Sequence, residues 1–418
     1  MKVIVIADDF TGALDTASQF SKIGIPTVAY PSARKELPQV DGGVCVVVVN
    51  SESRHLQPSE AYARVYALSR WAMGQRASIL YKKTDSALRG NVGSELQAMA
   101  DACGRSAPIY FLPGYPRSAR TTVGGVQYYD GIPIAQSVFG RDPLEPVAHS
   151  DVRKILASQT SMSSRVVARG GAFPQGGGQA GIYICDSQED ADIQSVCRRL
   201  PAACPESPLL LAGCAGFAEH VAKELLLALS RGGAGQPPPA PDSLLIVSGS
   251  LNDITAEQLR YGKERGIPAF QLHEDAELAP GYVGSPACRS FSEQVRRTLR
   301  EGRVAILETA GVGGRREAIP KEQFVNISES IAMLVQYILT GEENYAVAVF
   351  GGDTLQAIID RLFPFGIVPQ GEVEVGVPAA CAMSHSRKNH VIISKSGGLG
   401  QRDVIVKIMR FLHITRRD

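Results

Sequence analysis

The sequence predicts an α/β fold with two domains, each a largely parallel sheet flanked by helices. The first observation is a set of continuous β-branched runs, such as 3–6 and 44–49, which are typical of strands buried on both faces. The second is the alternation of strand-like and helix-like segments over most of the chain. The third is a Gly-rich and then Pro-rich stretch, 231–241, which has the composition of a linker. It divides the chain into domains 1–230 and 242–418.

In the first domain, apolar runs predict strands and helical spacing of apolar residues predicts helices. The predicted strands are near 2–7, 26–30, 44–49, 78–82 and 108–112, and the predicted helices are near 12–23, 58–73 and 92–103. Residues 113–150 differ, because Gly and Pro throughout predict a long, turn-rich excursion. Loops of that length are usually functional, and a substrate lid and a subunit contact both remain open. Alternation of helices and strands resumes at 151–230.

The second domain repeats the α/β style. Its predicted strands are near 244–247, 267–272, 303–308, 345–350 and 390–394, and its predicted helices are near 253–265, 288–300, 327–340, 354–362 and 402–412.

Composition excludes several classes of function. Lys and Arg number 43 against 42 Asp and Glu, and no basic block stands out, so nucleic acid and anionic membranes are not expected partners. No apolar stretch is long enough to cross a membrane, and the N-terminus leads directly into a strand instead of a signal peptide. The 8 scattered cysteines form no CxxC pair, which indicates reduced thiols and a cytoplasmic protein.

Charged and hydroxyl residues follow three strands of the first domain, and ligands bind outside the carboxyl ends of parallel strands. Asp8 and Asp9 follow the first strand and Arg54 comes shortly after the third. The next strand runs into a longer group, namely Lys82, Lys83, Thr84, Asp85 and Arg89. Guanidinium groups suit a carboxylate and carboxylates suit hydroxyls, so these residues predict a site for a small, polar, anionic molecule.

Structural roles compete with binding for each of these residues. Asp8 or Asp9 could cap the following helix. Lys82 and Lys83 point to opposite faces if both lie in the strand, so at most one is expected to enter the site. Arg54 and Arg89 could form ordinary salt bridges.

The strand ends of the second domain are rich in glycine, which lets backbone N–H groups approach a phosphate. A helix N-terminus directly behind such a turn adds free donors and partial positive charge. The candidate nucleotide ligands in these turns are Ser248, Ser250, Gly351, Gly352, Asp353, Thr354, Lys395 and Gly397. Lys395 is expected to neutralise phosphate charge, although any one Gly-Gly turn could be structural.

A site for a hydroxylated acid and a site for a nucleotide together predict phosphoryl transfer with ATP and Mg²⁺. Asp9, Asp85 and Asp353 are all candidates for the general base, and the sequence does not choose among them. Metal ligands and oligomeric state also stay open, a homo-oligomer included. Two rival functions are a non-catalytic sensor of a sugar acid and nucleotide, and a hydrolase with Ser248 or Ser86 as nucleophile. The hydrolase is disfavoured because the sequence has no GxSxG elbow.

At these residues the chain resembles the four-carbon acid sugar kinases. The ordered blocks that carry the resemblance are 6–13, 82–91, 130–133, 142–143, 351–354, 371–373, 376–378 and 395–400. The resemblance implies a sugar-acid domain followed by an ATP domain, and phosphorylation of D-threonate, D-erythronate or 3-oxo-tetronates at the terminal hydroxyl. The block 82–91 is similar to that of the D-threonate kinase branch. By the same resemblance, Asp9, Arg54 and 82–85 would contact the acid, and Ser250, 351–354 and Gly397 would contact ATP.

Overall fold

The computed structural model describes the chain outside certain short segments. These are 32–42, 105–106, 143–144, 174–179, 203–207, 231–237, 239, 251, 274–276, 310–320, 342–343, 364–365, 384–389, 397 and 416–418, together with the side chains of 321–325. The chain divides into two compact units, Met1–Gly235 and Gln236–Asp418. Most of the predicted 231–241 linker lies outside the described residues.

The N-terminal unit contains a parallel sheet and a small antiparallel one. Its strands are β1 (Val3–Ala7), β2 (Thr27–Tyr30), β3 (Val46–Asn50), β4 (Ile79–Lys83), β5 (Pro108–Leu112), β6 (Arg120–Val123), β7 (Val126–Tyr129), β8 (Ile132–Pro133), β9 (Ser164–Val167), β10 (Gly181–Cys185) and β11 (Leu209–Gly213). The large sheet has the order β2-β3-β1-β4-β11-β5-β10-β9. Every neighbouring pair in it is parallel.

Helices connect these strands, as parallel pairing requires. They are α1 (Phe10–Ser21), α2 (Pro58–Gly74), α3 (Val92–Ala102), α4 (Val152–Ala157), α5 (Asp190–Arg199) and α6 (Ala215–Leu225). Short 3₁₀ segments occur at Pro116–Ser118, Ile134–Gln136, Val138–Arg141 and Leu227–Leu229. Burial on both faces is complete in β1, where Ile4 and Ile6 join the core with Val65 of α2 and Leu96 of α3. The alternate residues of β1 are equally buried, which confirms the prediction of a doubly covered sheet.

The excursion at 113–150 is more structured than the sequence indicated. Strands β6, β7 and β8 form an antiparallel sheet of their own. Gly124 and Gly125 join the first two strands, and both have positive φ, 59° and 76°. A two-residue hairpin turn of this kind needs positive φ at both positions, so the Gly-Gly pair was a usable hairpin signal. The predicted turn-rich excursion therefore also contains short strands that the sequence did not predict.

The C-terminal unit is a mixed sheet flanked by helices. Its strands are β12 (Ser243–Ser248), β13 (Ala269–Gln271), β14 (Val304–Glu308), β15 (Tyr345–Phe350), β16 (Ile367–Glu374), β17 (Val377–Ala382) and β18 (Val391–Lys395). Its helices are α7 (Asp253–Glu264), α8 (Pro286–Gly302), α9 (Lys321–Leu339), α10 (Gly352–Leu362) and α11 (Val404–Phe411). The strand order is β13-β14-β12-β15-β18-β17-β16, parallel from β13 to β18.

Strands β17 and β16 are antiparallel to their neighbours. The sequence analysis did not predict them as strands, although Gly376, with φ 76°, marks the hairpin turn between them. The other predicted elements of this unit are present with ends shifted by at most two residues, except that α9 begins six residues before the predicted start. The described cysteines are free thiols, and Cys204 lies outside the described residues.

Candidate functional site

The first polar cluster lies where β3, β1 and β4 end side by side. Ala7 pairs with Asn50 on one side and with Lys83 on the other. The segments that follow these residues therefore leave the sheet at one edge. This register brings the predicted residues of three separate sequence blocks into one layer.

Arg54 links the carboxylates of this layer. Its Nε lies 2.7 Å from Asp8 Oδ2 and its Nη1 lies 2.8 Å from Asp9 Oδ2. Its Nη2 lies 3.8 Å from Asp85 Oδ1. The arginine side chain is 11% exposed, so these ion pairs form largely out of water. They were possible salt bridges at the sequence level, and the structure contains them.

The backbone around Arg54 is held in place on both sides. Asn91 Nδ2 donates to Ser53 O at 3.0 Å and to Leu56 O at 2.9 Å. Gly90 has φ 81°, and a Cβ there would lie 3.0 Å from the carbonyl oxygen of Arg54. The Arg-Gly-Asn part of the block 82–91 thus supports the arginine loop.

Asp9 caps helix α1 while it binds Arg54. Its Oδ1 accepts a hydrogen bond from Gly12 N at 3.0 Å, and its Oδ2 faces Arg54. Asp8 is the more enclosed of the two, with 3% exposure. Burial by itself would raise the pKa of Asp8, but Arg54 and Lys83 together lower it to about 2. Asp8 is therefore ionised across the physiological range.

Arg89 binds Asp85 through two hydrogen bonds, from Nε at 2.7 Å and from Nη2 at 3.1 Å. Its Nη1 donates to Asp142 Oδ2 at 3.0 Å, which ties the 113–150 segment to the layer. Burial opposes ionisation of Asp85, but Arg89 and Arg54 hold its pKa far below the usual range. A carboxylate held in this way accepts a proton poorly.

The two lysines at the end of β4 have different surroundings. Lys83 Nζ lies 3.8 Å from Asp8 Oδ1 and only 2.3 Å from where a Cβ on Gly12 would be. Burial lowers the pKa of Lys83, yet Asp8 and Asp9 raise it by more, so the ammonium stays charged. Because Gly12 has no side chain, the Lys83 ammonium fits beside it.

Lys82 is held by a buried protein carboxylate, so of the two lysines, at most one of which was expected to enter the site, Lys83 is the one beside Asp8. The Lys82 side chain is fully buried, and its Nζ lies 3.0 Å from Glu95 Oε2 on helix α3. Glu95 in turn accepts a hydrogen bond from Ser53 Oγ, next to Arg54. Lys82 and Glu95 thus support the segment that carries Arg54. Glu95 could not be selected from the sequence, because the packing of helix α3 decides which side chain it meets.

Replacing Glu95 by Gln is expected to destabilise the protein by about 3–5 kcal/mol, because it leaves the Lys82 cation buried without a carboxylate. Urea denaturation of the N-terminal unit, followed by the fluorescence of Trp71, measures the loss. Adding Lys82→Met to Glu95→Gln should recover most of the lost stability. A single variant as stable as the parent would contradict a charged pair at this position.

Three buried oxygens in this layer have no hydrogen-bond partner among the described residues. They are Asp8 Oδ1, Thr11 Oγ1 and Thr84 Oγ1. Thr84 is held by its backbone, since its N–H donates to Gly213 O at 2.9 Å. Buried polar atoms are nearly always hydrogen-bonded in a native protein, so unmatched oxygens indicate a place for ligand hydroxyls.

The second cluster is in the C-terminal unit, where β12, β15 and β18 end in register. Ser248 pairs with Phe350, and Phe350 pairs with Lys395. Gly249 N donates to Phe350 O at 3.2 Å and Gly351 N donates to Lys395 O at 3.1 Å. The three turns predicted from separate blocks therefore begin side by side.

Glycine is required at two of these turns. A Cβ on Gly249 would lie 2.1 Å from Thr354 Oγ1. Gly351 has φ 128°, a conformation that other residues rarely adopt. Helix α10 begins directly at Gly352, with Asp353 in its first turn. Its first N–H groups and the positive end of its dipole suit a phosphate.

Ser250 and Gly397 complete the predicted nucleotide residues. Ser250 Oγ accepts a hydrogen bond from Asn252 N at 3.3 Å, before helix α7. Gly397 lies outside the described residues.

The Lys395 side chain is hydrogen-bonded to protein oxygens, and the neutralisation of phosphate charge expected of it stays a prediction. It is fully buried, and its Nζ donates to Thr255 Oγ1, Ser396 O and Leu399 O, each at 3.1 Å. The side chain holds the turn that follows β18.

Burial lowers the pKa of Lys395 from 10.5 to about 7, opposed in part by Glu374. Between these two pH values the unfolded chain binds this proton and the folded protein does not. Lys395 therefore adds stability as the pH rises from about 7, by at most about 1.4 kcal/mol for each pH unit.

We expect NMR of protein with labelled lysine side chains to show one Nζ titrating near pH 7, a signal that Lys395→Met removes. A titration midpoint above 10 would contradict this prediction.

Two absences can be stated for the part of the chain that the structure describes. No group of three or more His, Cys, Asp and Glu side chains is placed to hold a metal ion. No described helix combines the length and apolarity needed to cross a membrane.

Comparison with known proteins follows the same division of the chain. Residues 3–221 match the family described as "Sugar-binding N-terminal domain", and residues 245–405 match that described as "Nucleotide-binding C-terminal domain". A D-threonate kinase of Salmonella typhimurium is 29% identical, with 99% of this chain and 98% of that protein aligned. A D-threonate kinase of Cupriavidus necator is 31% identical, with 90% of each aligned. A D-erythronate kinase of Heliobacterium modesticaldum is 24% identical, with 98% of this chain and 97% of that protein aligned. A 3-oxo-tetronate kinase of Methylobacterium radiotolerans is 26% identical, with 95% of this chain and 96% of that protein aligned.

A solved structure from Salmonella typhimurium LT2 has the same fold. It superposes with a TM-score of 0.78 at 20% identity, covering 98% of this chain and 99% of that one. This likeness confirms the predicted α/β architecture.

Proposed function

Because this chain belongs to the four-carbon acid sugar kinase family, we propose that it transfers the γ-phosphoryl group of ATP to the terminal hydroxyl of D-threonate. As a member of that family it is a phosphotransferase that acts on a four-carbon acid. D-Threonate is the more specific part of the proposal. Its support is the name of the two relatives with 29% and 31% identity, together with the block 82–91.

The observation that carries the proposal is the charged layer with unmatched oxygens at the ends of β1, β3 and β4. It combines ionised carboxylates and cations with the buried Asp8 Oδ1, Thr11 Oγ1 and Thr84 Oγ1. Carboxylates bind sugar hydroxyls by accepting hydrogen bonds, and threonine hydroxyls can donate or accept. Such a layer suits a small molecule with several hydroxyl groups.

The general base is better assigned to Asp9 or Asp353 than to Asp85. Two hydrogen bonds from Arg89 hold Asp85, and its pKa is far below the usual range. Asp9 keeps 23% of its side chain exposed, which leaves it accessible to a substrate hydroxyl. A loose phosphoryl-transfer transition state needs little base assistance, so orienting the hydroxyl is the larger contribution.

We assign ATP to the glycine turns of the C-terminal unit. The backbone N–H groups of Gly352 and Asp353 would bind phosphate oxygens, and Thr354 would fix the turn against Gly249. Mg²⁺ that accompanies ATP is commonly held by one or two carboxylates together with phosphates, and Asp353 fits that role. When bound, the ion neutralises phosphate charge.

The test is ADP release from Mg-ATP with D-threonate, L-threonate, D-erythronate, L-erythronate and 3-oxo-tetronate as acceptors. Turnover confined to D-threonate is the expected result. Turnover on another tetronate alone would keep the kinase and overturn the substrate. No ADP with any of the five, in protein whose melting temperature still rises with ATP, would overturn the proposed reaction and favour a sensor.

A further inference from the structure

Arg120 is a buried arginine in strand β6 that the sequence analysis did not select. Its guanidinium carbon lies 4.8 Å from the centroid of the Tyr129 ring and 5.4 Å from that of Phe139. The Arg89 guanidinium carbon lies 5.5 Å from the same Phe139 ring. Arg120 is therefore next to the charged layer, and the small antiparallel sheet carries it there.

The charge of Arg120 is not neutralised by a carboxylate of the described residues. Its side chain contacts Ser118 O through Nη1, and its Nε is buried with no hydrogen-bond partner there. The residue is only 6% exposed. A buried charge without a partner is strongly unfavourable, so a protein rarely retains one without a use for it.

The other cations of the layer differ from Arg120 in this respect. Each is paired with at least one carboxylate: Lys82 with Glu95, Lys83 with Asp8, Arg54 with Asp8 and Asp9, and Arg89 with Asp85 and Asp142. At each of them an incoming anion would share the positive charge with a protein carboxylate. At Arg120 no carboxylate of the described residues lies within salt-bridge distance to share it.

The geometry of the guanidinium fits one class of anion. The guanidinium lies over the Tyr129 and Phe139 rings, and its hydrogen bond to protein uses Nη1. The edge formed by Nε and Nη2 can therefore give two parallel hydrogen bonds to a carboxylate. Burial lowers the pKa of Arg120, and Tyr129 and Asp85 act against this effect, yet a guanidinium remains protonated at neutral pH.

We propose that Arg120 binds the carboxylate of the sugar acid through this edge and so selects acids over neutral sugars. The inference rests on the proposed function, because it assigns one group of the same substrate. Arg54 and Arg89 would then organise the carboxylates that bind the hydroxyl groups, instead of binding the substrate carboxylate themselves.

The test compares D-threonate with D-threonamide, in which a neutral amide replaces the carboxylate. In Arg120→Met and Arg120→Gln, KM for D-threonate should rise about 10- to 100-fold, whereas binding of D-threonamide and KM for ATP should change little. The preference for the acid over the amide should thus nearly vanish. Arg153→Met is the matched control, since Arg153 is 51% exposed and pairs with Asp151 on the surface.

Each outcome has one meaning. An unchanged preference for the acid in either folded variant would overturn the inference, and thermal melting identifies the folded variants. Weaker inhibition by the phosphorylated product at an unchanged KM for D-threonate would assign Arg120 to the phosphoryl group and also overturn it. Failure of the parent enzyme to turn over any tetronate would instead count against the proposed function.

Discussion

Substitution of Arg54 by Met is expected to lower kcat/KM for the sugar acid by at least about 100-fold, because the carboxylates it orients would shift from their positions. The same change should destabilise the N-terminal unit by about 3–5 kcal/mol, since it breaks a buried ion pair and leaves Asp8 and Asp9 in mutual repulsion. Steady-state kinetics and urea denaturation measure the two effects. Arg153→Met is again the control, and both quantities should stay near the parent values.

A second substitution separates positioning from stability. Asp8 is 3% exposed and has a pKa of about 2 only while Arg54 and Lys83 face it. Adding Asp8→Asn to Arg54→Met removes the orphaned charge, so the double variant should regain part of the lost stability. It should not regain activity, because the Asp8–Arg54–Asp9 arrangement is still absent. Activity that returned together with stability would show that Arg54 serves the fold alone.

The sequence predicted the composition of this layer because parallel strands end at a common edge. Asp9, Arg54 and Asp85 are far apart in the chain, yet the register of β1, β3 and β4 brings them together. Alternation along a strand likewise predicted different faces for Lys82 and Lys83. These conclusions need only the period of a strand and the direction of its neighbours.

Partners supplied by packing were beyond that reasoning. Glu95 reaches Lys82 because helix α3 packs there, and no local pattern in the sequence specifies that contact. Gly124 and Gly125 could have predicted the β6–β7 hairpin, but not that it places the Arg120 guanidinium over the Phe139 ring. Lys395 was selected for phosphate charge, but not for the bonds of its ammonium to backbone oxygens of its own turn. In each case the residue type indicated a polar contact, but the sequence did not predict where the side chain points.

In the C-terminal unit the largest effect is expected from Gly249→Ala. The added methyl group would lie 2.1 Å from Thr354 Oγ1 and 3.3 Å from Thr354 Cβ, so either the Thr354 side chain must rotate or the β12 turn and the start of α10 must move apart. Overpacking of this kind costs about 1–3 kcal/mol, and because the displaced turn is the proposed phosphate site, a loss of that size in ATP binding would raise KM for ATP about 5- to 150-fold. KM for the sugar acid should change little. Gly302→Ala is the control, because nothing lies within 4 Å of a Cβ there.

A double-mutant cycle with Thr354→Ala tests whether the clash is the cause. Thr354→Ala by itself should weaken ATP binding modestly, through loss of one buried hydroxyl. If the clash displaces the turn, Gly249→Ala should add little in the Thr354→Ala background, since the obstructing oxygen is gone. Fully additive effects would contradict this explanation. Because the cycle compares free energies of ATP binding, it tests the glycine turns as a phosphate site whichever four-carbon acid is the acceptor.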